Sequence, residues 1–200
     1  MRIGFDFDNT IIDYDHIFKY VAVKKKLIPL SVPSNKISVR NYLKKINKEN
    51  EWTILQGEVY GKHINKAKTY ENCVETLKAL SSNKIEKYII SHKTKYPFMG
   101  EKINLHESAL KWLKINKFLA SKDTIFKKND IYFEETIEKK IDRILQKSCD
   151  VFIDDLPEIL DLLPEKIIKV LFSPSNQVKN NKNYFIISNW SELSEIIAYL

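Results

Sequence analysis

Short apolar runs alternate with helix-period segments along most of this 200-residue chain. RIGFDF from Arg2, KYIIS from Lys87, IYF from Ile131, DVFID from Asp150, IIKVLF from Ile167 and YFIIS from Tyr184 each close on polar residues and predict buried strands. Between them lie ENCVETLKALSS from Glu71, LHESALKWLKINKF from Leu105, ETIEKKIDRILQKS from Glu135 and WSELSEIIAYL from Trp190, where apolar residues recur at helical spacing. In the last of these, Ser191 followed by Ser194 and Glu195 predicts a capped helix start. Strand and helix in alternation predict an α/β fold: a Rossmann-like, mostly parallel sheet with helices on both faces.

One region breaks the alternation. Between the first strand and the helix at Glu71 the pattern is helical, with no convincing strand. VAVKKKLIPLSVPSN from Val21 reads as a helix end and a turn, and VRNYLKKINKE from Val39 as a helix. The expected organisation is therefore an α/β core formed by residues 1–12 and 70–200, carrying a small helical insertion at 13–69. PSNQVKNNKN from Pro174 reads as a polar surface loop.

Composition narrows the functional classes. A hydrophobic fraction of 44% with 12% aromatics is that of a globular protein. No apolar run approaches the ~18 residues that span a bilayer, so no membrane partner is expected. The start MRIGFDFD lacks the apolar stretch and cleavage site of a secretory signal, which makes a cytoplasmic location the expectation. Cys73 and Cys149 stand far apart without metal-ligand spacing and are expected to be reduced, buried thiols. The net charge of +7 would favour nucleic acid, yet only Arg2, Arg40 and Arg143 among the 33 basic residues are arginine. Arginine is the better residue for bidentate recognition of phosphate or base, so nucleic acid is disfavoured as the main partner. A small anionic substrate gains from the same positive field.

The chemistry lies at the strand ends. FDFDNT closes the first strand with Asp6 and Asp8, which share a face at i, i+2 and repel unless a cation or proton joins them. Thr10 follows. KYIIS ends on Ser91, the helix from Glu135 offers Lys139 and Lys140, and DVFID ends on Asp154 and Asp155. Open α/β sheets bind ligands at the carboxyl ends of their strands, so these groups are expected to converge on one crevice. Carboxylates, a hydroxyl and an ammonium suit phosphoryl transfer. One carboxylate attacks, a second exchanges protons, an oxygen-liganded Mg²⁺ screens the charge, and the hydroxyl and ammonium hold the phosphoryl oxygens.

In this order the motifs resemble those of the haloacid dehalogenase superfamily: DxDx(T/V), a strand-ending Ser or Thr, a Lys and an acidic pair. A response-regulator receiver carries its adjacent acids after the first strand and its lysine last, which is not the order here. The resemblance implies a phosphatase in which Asp6 forms an aspartyl-phosphate and Asp8 is the general acid/base. Mg²⁺ would be held by Asp6, the Asp8 carbonyl and the pair Asp154 and Asp155, and the phosphoryl group by Ser91 and a lysine. Lys139 and Lys140 both qualify. Lys140 is preferred because it directly precedes Ile141 and the helix's apolar stripe. The insertion falls where the family places a helical cap. Within it, EWTILQGEVYGKH from Glu51 offers Gln56 and Gly57 as substrate contacts, while Trp52 and Tyr60 fit equally well as cap core. The implied substrate is a small phosphorylated metabolite, a sugar phosphate or a nucleotide-pathway intermediate. A nucleotidase, a nucleic-acid-end phosphatase or a non-catalytic binding module are the alternatives.

Overall fold

A computed structural model of the chain describes residues 1–80, 85–119, 124–175 and 183–200. In chain order its elements are β1 (Arg2–Phe5), β2 (Ile12–Asp13), α1 (Asp15–Lys24), α2 (Lys36–Lys45), α3 (Glu49–Tyr60), β3 (Lys68–Thr69), α4 (Cys73–Ala79), β4 (Glu86–His92), α5 (Leu105–Ile115), β5 (Ile131–Glu134), α6 (Ile137–Gln146), β6 (Val151–Asp154), α7 (Pro157–Leu160), β7 (Ile168–Phe172), β8 (Phe185–Ile187) and α8 (Ser191–Tyr199). Ser81 and Ser82 of the helix expected from Glu71, and residues 176–182 of the polar loop expected from Pro174, lie outside the described residues.

The chain divides into two units, one of Met1–Ile12, Thr69–His92 and Lys117–Leu200, the other of Asp13–Lys68 and Lys93–Asn116. In the first, the six apolar runs form one parallel sheet in the order β5-β4-β1-β6-β7-β8. The sheet is built outward from β1, to β4 and β5 on one side and to β6, β7 and β8 on the other. The strand order thus reverses beside β1, and the ends of β1, β4 and β6 meet at that switch point. Gly4 makes the close pairing possible, because a Cβ there would sit 2.6 Å from the Phe152 ring on β6.

Strand alternation sends alternate residues to opposite faces. One face packs Ile90 and Phe152 against Ile144 of α6 and Ile159 and Leu160 of α7. On the other, Phe5 stacks on Trp190 at the start of α8 with ring centroids 5.7 Å apart, and meets the Phe126 ring edge-on at 6.0 Å. Each fully buried large side chain contributes about 1.5–3 kcal/mol, so the rows stabilise both faces. The α/β architecture predicted from the pattern is the one observed. The start of α8 differs from expectation. Ser191 does not cap it; the Asn189 side chain accepts from the Ser191 N–H at 2.9 Å, and Glu192 accepts from the Asn189 N–H at 3.1 Å.

The second unit is helical. Phe18 of α1 stacks on Trp52 of α3 at 5.0 Å, Tyr14 meets Tyr60 edge-on at 4.9 Å, and the Trp112 indole of α5 donates to the Ala67 carbonyl at 3.0 Å. Asn35 and Asn104 cap α2 and α5, each accepting from the backbone N–H three residues on. The 93–116 segment, assigned to the α/β core by the sequence pattern, packs in this helical unit. The apolar stripe of Leu105, Ala109, Trp112 and Leu113 fixes a helix but does not say what it packs against.

Candidate active site

Asp6, Thr10, Ser91, Lys140 and Asp154 are among the buried polar groups at the carboxyl ends of the strands and on α6. β1 stops at Phe5, and the Asp6 N–H donates to the Ile153 carbonyl at 2.9 Å, which carries the β1 register one residue further and sets Asp6 beside Asp154. Helix α6 begins when the Thr136 hydroxyl accepts from the Lys139 N–H at 3.3 Å. From that start, helical spacing turns Lys140 inward on the face it shares with Ile144 and leaves Lys139 exposed. The Lys140 ammonium donates to Asp6 Oδ1 and to Asp154 Oδ2, both at 2.6 Å. Lys139 instead borders an open surface depression with Glu134, Asp142, Arg143 and Gln146.

These three charges are almost fully removed from water. Burial raises the Asp6 pKa above its ordinary 3.8; Lys140 offsets part of that, and nearby Asp8 adds to it. Burial likewise pushes Asp154 up to about 7 against the pull of Lys140, with Asp6 adding to the rise. For Lys140, burial disfavours the ammonium, but the two carboxylates outweigh it and keep the proton in place. The trio is therefore one cation between two carboxylates that share a tendency to take up a proton. A divalent cation would answer that excess of negative charge.

The donor set fits Mg²⁺. Asp6, Asp154 and Asp155 each offer a carboxylate oxygen, and these oxygens lie within 4.8 Å of one another. Ser91, buried at the end of β4, is a second sign of a ligand. Its hydroxyl lies beside Asp6 and favours that carboxylate's ionised form, yet it completes no well-formed hydrogen bond among the described residues. A phosphoryl oxygen would satisfy such an orphan hydroxyl.

The loop after β1 carries Asp8 and Thr10. Asn9 takes a left-handed conformation (φ 61°), which asparagine tolerates, and its N–H donates to the Ile12 carbonyl at 3.0 Å. The turn leaves Asp8 half-buried and aims the Thr10 hydroxyl at Asp155 Oδ1, 3.3 Å away. Thr10 thus steadies an acidic side chain. Gln56 and Gly57 lie on α3 of the helical unit. The space a Gly57 side chain would take is filled by Pro97, whose Cβ would lie 2.7 Å from it, so packing within that unit accounts for the glycine.

One residue here had no signal in the sequence pattern. The Trp190 indole, fully buried, donates to the Thr10 carbonyl at 3.0 Å across 180 residues of chain. Only the aromatic at the start of a helix was visible beforehand.

No family model matches the chain. A Bacillus cereus protein carrying the name "Putative nucleotidase" is 26% identical, the match covering 98% of each chain. Among solved structures, a haloacid dehalogenase-like family hydrolase from Streptococcus pneumoniae aligns with a TM-score of 0.65 at 18% identity over 98% of this chain and 97% of that one. YfnB of Bacillus subtilis, assigned as a HAD-hydrolase and bound to magnesium, also gives 0.65, at 15% identity over the same shares. A phosphoserine phosphohydrolase-like protein from Francisella tularensis gives 0.59 at 13% identity over 98% and 99%.

Proposed function

Since the chain has the haloacid dehalogenase superfamily fold, we propose that it is a Mg²⁺-dependent phosphoric monoester hydrolase acting on a small phosphorylated metabolite. The buried convergence of Asp6, Lys140 and Asp154, with Asp155 and the orphan Ser91 hydroxyl at adjoining strand ends, carries this reading.

An Asp6 carboxylate oxygen attacks phosphorus, the bond from phosphorus to the leaving oxygen breaks, and Asp8 gives that oxygen its proton. Water then attacks the aspartyl-phosphate. Asp8 takes the water's proton, the phosphorus–Asp6 bond breaks, and phosphate leaves with Asp6 again a carboxylate and Asp8 again carrying its proton. Lys140 and Ser91 bind the phosphoryl oxygens and stabilise charge in both transition states. Asp6, the Asp8 carbonyl, Asp154 and Asp155 would hold Mg²⁺, which supplies charge screening for the attack of an anion on an anion. In this reading residues 13–69 serve as a cap that selects the leaving group.

The Bacillus cereus relative favours a narrower second reading, in which the substrate is a nucleotide. Phosphate release from sugar phosphates, nucleotides and phosphorylated oligonucleotide ends, with Mg²⁺ and with chelator, tests both. The proposal expects metal-dependent turnover that Asp6→Asn abolishes. A nucleotide preference would select the second reading, steeply salt-dependent turnover of oligonucleotide ends would select nucleic acid, and no turnover of any compound by folded protein would contradict both readings.

A further inference from the structure

We propose that Trp190 is a positioning residue that holds the Asp8–Thr10 loop in its working geometry through the indole N–H bond to the Thr10 carbonyl. The proposal rests on the phosphatase reading for its kinetic consequences, but its structural content stands apart from it.

Three observations carry it. The indole bond ends on the backbone of the loop that bears Asp8 and the Thr10 hydroxyl, and that hydroxyl in turn reaches Asp155. The same ring stacks on Phe5, the residue directly before Asp6, and lies 6.0 Å from the Phe172 ring of β7, so it spans β1 and its loop together. Finally, the turn that presents Trp190 is pinned from behind. The Thr76 hydroxyl donates to the Trp190 carbonyl at 3.2 Å, Asn72 Nδ2 donates to Asn189 Oδ1 at 3.0 Å, and the Ser188 hydroxyl donates to Glu192 at 2.8 Å. A buried indole N–H takes a partner wherever it packs; what sets Trp190 apart is that its partner is the backbone of the loop that bears Asp8. The loop needs such partners, because it is a tight turn in which the Phe7 carbonyl already accepts from the Ile11 and Ile12 N–H groups and the fully buried Thr10 must have its carbonyl satisfied away from water.

Trp190→Phe keeps an aromatic ring against Phe5 while deleting the donor, along with part of the ring volume. Trp112→Phe is its control, removing an equally buried indole bond, to Ala67, in the helical unit. Hydrogen exchange of the metal-free proteins is read at the amides of residues 9–12 and, in the same experiment, at those of β4 and β6. The expected result is that Trp190→Phe speeds exchange at 9–12 about 5- to 10-fold, the worth of one net hydrogen bond, while β4 and β6 keep their protection and Trp112→Phe leaves 9–12 unchanged. For turnover, kcat falls by a similar factor with KM unchanged, since the loop carries the proton-transfer group. Unchanged exchange at 9–12, or protection lost equally throughout the sheet, would overturn the proposal and leave Trp190 as core packing alone. Absence of turnover in the wild type would sink the phosphatase reading, and the exchange comparison would still decide this one.

Discussion

One set of ion pairs in the α/β unit lies in a setting opposite to that of the helical unit's pairs, and to that of its own exposed pair Arg2–Glu86. In the helical unit, Lys25 meets Glu58 at 2.6 Å with both side chains partly in water, and Lys62 pairs with Glu101 at the surface. In the α/β unit, Lys140 lies between Asp6 and Asp154, with all three side chains within a few per cent of full burial. Surface pairs form at little cost and contribute little. Desolvating three charges costs several kcal/mol per ion before their attraction offsets it, and an apolar trio of similar volume would be at least as stable. The helical unit is held by its aromatic core, whereas the buried trio of the α/β unit is better explained by chemistry than by stability.

The largest effect that would sharpen this contrast is on turnover. Asp6→Asn is expected to lower kcat about a thousandfold or more with the fold retained by circular dichroism, because the proposed nucleophile is gone. Lys140→Ala comes next. It leaves two buried carboxylates without their cation and is expected to cost about 3 kcal/mol in denaturant unfolding at neutral pH, along with turnover. Lys139→Ala, one residue away but exposed, should stay within about 0.5 kcal/mol. Equal effects of the two lysine changes would remove the distinction between the buried trio and an ordinary surface charge.

Gly57→Ala probes the other unit. Its new methyl meets Pro97 inside van der Waals contact, for an expected loss of about 1–3 kcal/mol. Exchange protection should fall among the amides of α3 and of the 93–116 segment.

A pH titration in chelator gives a smaller effect with a definite sign. Asp6 and Asp154 have raised pKa values when folded, Asp154 about 7 against an ordinary 3.8. The folded protein therefore holds protons that the unfolded chain releases near pH 4. Their contribution to stability is fullest below that pH and is lost as pH rises towards about 7. For the same reason the Lys140→Ala deficit should shrink in acid. The smallest effect expected is from Lys25→Ala, within about 0.5 kcal/mol.

Much of the candidate site was legible because strand ends announce themselves. An apolar run that stops on Asp6, on Ser91 or on Asp154 locates both the strand and the crest of the sheet, and a parallel sheet brings such crests together whatever the chain length between them. Between the two lysines the sequence offered only a preference, Lys140 directly preceding Ile141 and the apolar stripe, and Lys140 is the one that is buried with Ile144. What stayed hidden was partnership. LHESALKWLK has the periodicity of any amphipathic helix, and nothing local distinguishes a stripe that meets a sheet from one that packs with α3. Gly57 looked available to a ligand because the sequence does not show Pro97 lying across it. The Trp190 bond joins residues 180 apart and has no local signature at all.

The proposed role of Asp6 as nucleophile is decided by acid-quenching a turnover mixture and mapping the peptides by mass. A phosphoryl adduct is expected on the peptide carrying Asp6, formed only with Mg²⁺ and absent from Asp6→Asn. Undiminished phosphate release by Asp6→Asn, or an adduct on any other residue, would contradict it.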